Sequence, residues 1–191
     1  MRSFAKPLVL ALSAASLAIL PACSVAEDDP DADPSVTGET DSGTVASVLS
    51  DMPDMANFNS AIASAQLGSI FDGPGSYTVL APNDEAFQAF GEEGSTLMSE
   101  DQRPLLVGVL RNHILPGHLT PEDIEAAIDA QGGEVSMKTL GSGTVTFTRD
   151  GGQVTVTNDA GSTARLASAS TAANNGVIIP LDTVLTPAEG G

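Results

Sequence analysis

The main change in the spacing of the apolar residues along this chain lies at Gly132-Gly133. Before these glycines, apolar side chains recur at helical spacing, as Ile124 and Ile128 do. After them, Val145 and Phe147 alternate with threonines, which is the period of a half-buried strand. Helices followed by a β-meander predict an α+β domain of ordinary size.

Residues that can accept a hydrogen bond from the first helical turn mark the expected helix starts. These residues are Thr44, Asn57, Asn83, Asp101 and Thr120. In the helix that follows Asp101, we expect the apolar face that runs from Leu105 to His113 to point inward.

Strand signals surround a turn signal at Asp150-Gly151, where a tight hairpin would need a positive φ. Further strands are predicted for residues 77–81 and around residues 165–169. The last segment, 176–185, is almost continuously apolar, so we expect it to form a central strand.

The chain is strongly acidic, with 25 Asp and Glu against 7 Lys and Arg. Two basic residues precede Cys23, so a chain that begins at Cys23 has five basic and 25 acidic residues and a formal net charge of −20. Such a surface repels phosphate backbones and anionic lipid, which excludes a nucleic-acid partner. One Cys excludes an internal disulfide and a Cys-rich metal site.

The N-terminus is typical of an exported protein. Arg2 and Lys6 precede the apolar run Leu8–Leu20, which is too short to span a membrane comfortably but suits a signal peptide. The run ends in Leu20-Pro21-Ala22-Cys23, which resembles a lipobox. The resemblance implies that Cys23 is lipidated and becomes the N-terminus, and Ser24 after it favours the outer membrane. The alternatives are a secretory signal that leaves a free thiol, or an uncleaved anchor.

Residues 24–42 hold seven acidic residues, two prolines and almost no large apolar side chain, so they cannot form a core. As a flexible chain this segment would span about 25 Å. Calcium binding at Asp29–Asp33 is disfavoured because the turn glycine and terminal Glu of an EF-hand loop are missing.

Three blocks resemble the motifs of the fasciclin (FAS1) family, in family order and spacing. They are Tyr77-Thr-Val-Leu-Ala-Pro-Asn-Asp-Glu-Ala-Phe87, Asn112-His-Ile-Leu-Pro-Gly117 and Asn175-Gly-Val-Ile-Ile-Pro-Leu-Asp-Thr-Val-Leu-Thr-Pro187. The resemblance implies a wedge-shaped β-sandwich of about seven strands with several helices packed on one side, and a role in adhesion or extracellular binding. Asn112 stands where the family has a Tyr tied to receptor binding in some animal members, and Ile179-Pro180 replaces a His-containing pair.

These observations divide the chain into four parts: a lipoprotein signal peptide (1–22), a lipidated cysteine with an acidic disordered tether (23–42), a fasciclin domain (43–187) and a disordered tail (188–191).

No catalytic constellation is evident, so we expect no enzyme activity, no cofactor and no metal. His113 and His118 do not have the spacing of two ligands on one helix face, and no Gly-x-Ser-x-Gly elbow is present. Asn112 and His113 are candidate binding residues. The alternative for His113 is a buried, hydrogen-bonded histidine at the end of an apolar helix face.

The remaining motif residues have structural interpretations. Asn83 is expected to cap a helix whose first turn contains Asp84 and whose inner face includes Phe87. Asp182, which follows an apolar strand, is expected to accept backbone hydrogen bonds at a turn.

Two functions remain open. The first is a lipid-anchored adhesion or matrix-binding module at the cell surface, with an extracellular polysaccharide or a surface protein as partner. The second is a periplasmic small-ligand-binding or envelope-scaffold lipoprotein with the same anchor.

Replacing the anchor cysteine tests the N-terminal assignment. We expect Cys23→Ser to release the protein into soluble fractions or to stall its processing, because the thiol is the site of acylation. Mass spectrometry of the wild-type mature N-terminus checks the modification directly, and an unmodified Cys23 would contradict the assignment.

Overall fold

The structure, a computed structural model, describes residues 43–187 except Asp72, Pro74 and Ser168. The signal peptide, Cys23, the tether and the tail predicted above lie outside the described residues. No helix in the described part of the chain is long and apolar enough to cross a membrane.

The described residues form five α-helices and eight strands. The helices are α1 (Val45–Asp51), α2 (Ala56–Ser64), α3 (Asp84–Leu97), α4 (Arg103–Asn112) and α5 (Pro121–Gln131). The strands are β1 (Tyr77–Pro82), β2 (Ile114–Pro116), β3 (Glu134–Lys138), β4 (Thr144–Asp150), β5 (Gln153–Asn158), β6 (Thr163–Arg165), β7 (Thr171–Ala173) and β8 (Gly176–Leu181). Short 3-10 turns occupy Pro53–Met55, Gly68–Ile70 and Glu100–Gln102.

Side-chain caps start three of the helices where the sequence predicts them. Thr44 and Asn83 each accept a hydrogen bond from the first turn, and Thr120 forms a capping box with Asp123. The other two expected caps are wrong. α2 begins at Ala56, so Asn57 lies inside it, and a 3-10 turn that includes Asp101 leads into α4 without a side-chain cap.

The strands form two four-stranded sheets. The first sheet has the order β2-β1-β8-β7, and the second has the order β3-β4-β5-β6. The second sheet is the predicted meander, and its β4–β5 hairpin turns at Gly151 and Gly152, which both have positive φ. In the first sheet, β1 and β8 pair in parallel from Tyr77 opposite Gly176 to Pro82 opposite Leu181.

The first sheet lies between two cores because alternate residues of its strands point in opposite directions. Val79 and Ile178 pack against helices α1, α2 and α4, whereas Leu80 and Ile179 pack against the second sheet and α5. The α+β fold with two packed sheets is therefore confirmed. The described residues contain eight strands, and α5 joins the core of the second sheet, away from the other helices.

One residue of the α4 face departs from its expected position. Leu106, Val109 and Leu110 are buried, but the side chain of Leu105 is 47% exposed. The expected stripe spans i, i+1, i+4 and i+5, which is wider than the contact that α4 makes, so Leu105 at its edge faces solvent.

The β1–β8 pairing requires a glycine at position 176. A Cβ added there would collide with the backbone oxygen of Tyr77 and would lie 2.8 Å from Cγ2 of Val45. We expect Gly176→Ala to lower the unfolding free energy by about 1–3 kcal/mol through overpacking. Thermal denaturation should show a midpoint several degrees lower.

Gly108→Ala is the matched control, since a Cβ at this position in α4 meets no atom within 4 Å. It should leave stability unchanged or raise it by about 0.5–1 kcal/mol, because alanine is the better helix former. Equal destabilisation by both substitutions would contradict the steric argument.

Candidate functional site

His113 caps the C-terminal end of α4 and is only 1% exposed. Its Nδ1 lies 2.9 Å from the carbonyl oxygen of Val109, and its Nε2 lies 3.1 Å from the backbone nitrogen of Leu185. Since the Leu185 N–H can only donate, Nε2 accepts and Nδ1 carries the proton of a neutral ring. The His113 carbonyl oxygen also accepts a hydrogen bond from the Leu80 amide of β1.

Burial lowers the pKa of His113 from 6.5 to about 4, because desolvation disfavours the charged ring. The hydrogen bond to the Val109 carbonyl opposes this effect only in part. His113 thus holds α4, β1 and the C-terminal segment together as a neutral residue. Its 1% exposure favours the alternative of a buried, hydrogen-bonded histidine, and a direct binding contact by His113 stays a prediction.

Asn112 is half-buried and faces a glycine-containing loop between β3 and β4. Its Oδ1 accepts a hydrogen bond from the Thr139 hydroxyl at 3.0 Å. A Cβ at Gly141 would overlap that oxygen, and one at Gly143 would lie 3.0 Å from it. Glycine at both positions lets the loop approach the amide closely, so Asn112 fixes the loop rather than extending into solvent.

The residues of the first block also bond within the domain. Asn83 Oδ1 accepts from the Ala86 amide at 2.8 Å, and Asp84 Oδ1 accepts from the Asn57 amide at 2.8 Å. These bonds start α3 and tie it to α2. Phe87 is half-buried against the core of the first sheet.

Asp182 follows β8 and is exposed, yet one of its carboxylate oxygens accepts two hydrogen bonds. Oδ1 accepts from the Arg165 amide at 2.8 Å and from the Thr183 hydroxyl at 3.0 Å. The carboxylate therefore joins the end of the first sheet to β6 of the second.

The matched blocks are not brought together into one polar site. Among the described residues, no group of three or more His, Cys, Asp or Glu side chains is placed to hold a metal ion. The polar groups of the blocks stabilise junctions between elements, and surfaces beyond these hydrogen bonds are further candidates for binding.

One such surface is the solvent-facing side of the second sheet, which we name the hydroxyl face. Its central row crosses all four strands in register and consists of Ser136, Thr146, Thr157 and Thr163. The Ser136–Thr146 and Thr157–Thr163 hydroxyl pairs are hydrogen-bonded at 2.8 and 2.9 Å. In each pair one hydroxyl donates to the other, so the accepting hydroxyl keeps its own proton to donate.

A second row beside it contains Thr148 and Thr155, whose hydroxyls are 2.9 Å apart, but Thr155 is only 6% exposed. The register places Glu134 and Arg165 at the two ends of this row. Strand alternation also brings Lys138 and Asp150 to the face, and Asp159 lies at its edge, where its carboxylate accepts a hydrogen bond from the Thr144 amide. Three acidic residues and two basic residues therefore lie there. The hydroxyl face is thus close to neutral on an acidic protein.

Sequence reasoning did not identify the hydroxyl face. The alternation of threonine with Val145 and Phe147 indicated only a strand with one buried side. Recognising the rows needs the register between strands, and a single segment does not contain that information.

Comparison with known proteins identifies relatives. Residues 53–187 match the family model described as Fasciclin domain. The protein sll1483 of Synechocystis is 32% identical over 152 residues, which cover 78% of this chain and 76% of that protein. The transforming growth factor-beta-induced protein ig-h3 of Sus scrofa is 28% identical over 127 residues, which cover 66% of this chain but 17% of that protein.

A solved structure shares the fold. A FAS1 domain pair from the insect cell adhesion molecule Fasciclin I matches with a TM-score of 0.66 and 16% sequence identity. The match covers 76% of this chain and 51% of the insect chain. At this identity the likeness shows the fold alone.

The lowered pKa of His113 predicts a pH-dependent stability. Between pH 6.5 and about 4 the unfolded chain binds a proton at His113 that the folded domain does not, so stability falls as pH falls. From pH 7 to pH 5 we expect wild type to lose about 2 kcal/mol of unfolding free energy relative to His113→Gln. Denaturant titrations of both proteins at several pH values measure this difference.

The comparison isolates His113 because the carboxylates are common to both proteins. Hydrogen bonds from the Thr120 amide and hydroxyl lower the pKa of Asp123 below its ordinary value of 3.8. Its protonation therefore changes stability only at a pH below the range from 7 to 5 compared here. Parallel pH profiles for the two proteins would show that the ring is not buried in its neutral form.

Proposed function

The chain belongs to the fasciclin domain family, and from this membership we propose that it is an exported, lipid-anchored adhesion module that binds hydroxyl-rich matrix polymers. Domains of this family are typically non-enzymatic adhesion modules and are extracellular or surface-associated. The lipid anchor is Cys23, and the acidic segment 24–42 is the spacer between membrane and domain.

The observation that carries the proposal is the hydroxyl face. Hydroxyls both donate and accept hydrogen bonds, as do the hydroxyls of a polysaccharide, and the central row presents four of them in register. A net charge of −20 repels anionic envelope polymers from the protein as a whole, whereas a neutral polymer meets no such repulsion at the near-neutral face. The proposed partner is therefore a neutral polysaccharide.

The predicted lipid anchor would compensate for weak binding of a single domain to the polysaccharide. The named residues of the two rows include no aromatic ring, so each contact relies on hydrogen bonds that exchange with water and contribute about 1 kcal/mol each. Many anchored copies facing one polymer would raise the avidity by orders of magnitude without stronger individual sites.

The alternative function, a periplasm-facing small-ligand or scaffold lipoprotein, uses the same anchor. Protease accessibility on intact cells distinguishes the two, because only the adhesion function requires a domain exposed outside the cell. A domain that is fully protected until the outer membrane is opened would favour the alternative.

Removing hydroxyls from the central row tests the partner. We expect the double variant Thr146→Val and Thr157→Val to bind an immobilised neutral β-glucan about tenfold or more weakly, because two hydrogen-bonding groups are lost. Valine keeps the strand propensity, so the fold should persist. Binding is measured on beads at several protein densities.

Thr171→Val on β7, in the first sheet, is the control and should bind as wild type does. Unchanged glucan binding by the double variant, or no glucan binding by wild type, would contradict the assignment of this face.

A further inference from the structure

A second surface differs in chemistry from the hydroxyl face. It is a groove of about 1240 Å³ between α3, the start of α4, the β5–β6 turn and the C-terminal segment 182–187, and we name it the α3 groove. Its apolar lining includes Phe90, Leu97, Leu105, Val184 and Pro187. Leu105 is the large apolar side chain that α4 leaves exposed, so the groove has unburied apolar surface available to a partner.

The shape of α3 contributes one wall. Gly91 has φ 60° and ψ −134°, values that a residue with a side chain rarely adopts, and it kinks the helix at its middle. The residues after the kink include Glu92, Glu93 and Leu97, which all line the groove. The kink thus orients the second half of α3 along this surface.

Hydrogen bonds hold the opposite wall in place. The Leu185 amide donates to buried His113, and the Thr186 carbonyl accepts from Asn158 Nδ2 at 2.6 Å. The hydroxyl of Ser162 accepts from the Thr186 amide at 3.3 Å. A wall fixed in this way needs little ordering when a partner binds, which lowers the entropic cost of binding.

All charged residues among the described lining residues are acidic. They are Glu92, Glu93 and Asp182. Glu92 and Glu93 are exposed, and neither forms an ion pair with a described residue. An apolar floor with an acidic rim complements a segment that carries apolar side chains next to Lys or Arg.

We infer that the α3 groove is the docking site for a cationic, amphipathic segment of a partner protein. This inference is independent of the glucan contact, because the hydroxyl face and the groove share none of the residues named for them. It adds a second kind of partner to the proposed adhesion function.

Other occupants fit less well. The acidic segment 24–42 of the same chain contains seven acidic and no basic residues, so the rim would repel it. A second copy carries the same net charge of −20 after Cys23. A drug-sized ligand is disfavoured by size, because such ligands occupy enclosed sites of roughly 300–1,000 Å³.

A designed peptide tests the inference on the full chain in detergent. The probe is a fluorescein-labelled 18-residue helix of leucine and lysine, and its matched control replaces every lysine with glutamine. We expect the lysine peptide to bind by fluorescence anisotropy and the glutamine peptide to bind about tenfold or more weakly, because rim attraction is lost. Raising the salt concentration should weaken only the lysine peptide.

Three variants distinguish the groove from general attraction to an acidic protein. Glu92→Gln with Glu93→Gln should weaken the lysine peptide about tenfold, because the rim charge is removed. Leu105→Ser should weaken both peptides, since it removes an apolar contact from an exposed position and should not unfold the domain. Asp51→Asn with Asp54→Asn removes the same charge from outside the groove and should change affinity by less than twofold.

Each remaining outcome overturns the inference. Equal weakening by the two double variants would mean that the peptide responds to net charge alone. Unchanged binding by Leu105→Ser would exclude the groove, and no peptide binding by wild type would exclude the partner class. The same variants should bind β-glucan as wild type does. A negative result for the α3 groove would therefore not bear on the proposal that the hydroxyl face binds glucan.

Discussion

The parallel pairing of β1 with β8 is the interaction on which the rest of the domain depends. It joins segments about 100 residues apart and places a strand buried on both faces between the two cores. The helices α1, α2 and α4 cover one face, and α5 with the second sheet covers the other. His113 reinforces the pair from the side, since its backbone binds β1 and its ring binds the segment after β8.

Much of this architecture could be predicted from local sequence. The caps at Thr44, Asn83 and Thr120, the hairpin at Gly151 and the burial of segment 176–181 all follow from rules that act within a few residues. The β1–β8 pairing does not, because both strands are apolar on both faces and a local pattern does not specify their partner. The resemblance of three blocks to one family supplied the fold.

The candidate sites were harder to predict. The sequence drew attention to Asn112 and His113 because they lie in a matched block, but their polar atoms bond to the loop at Thr139 and to the Leu185 amide. Both candidate surfaces arise from elements that meet only in three dimensions. The hydroxyl face depends on the strand register, and the α3 groove depends on the kink at Gly91 and the exposed edge of α4.

The distance along the sequence between β1 and β8 has a consequence for biosynthesis. A ribosome releases residues in order, and β1 emerges long before the strand that must lie beside it. Until Gly176–Leu181 is available, the first sheet lacks its central partner and His113 lacks the amide that its Nε2 accepts from. Such non-local contacts form late and slowly. The nascent domain would therefore remain without its completed core from the release of β1 until the release of β8.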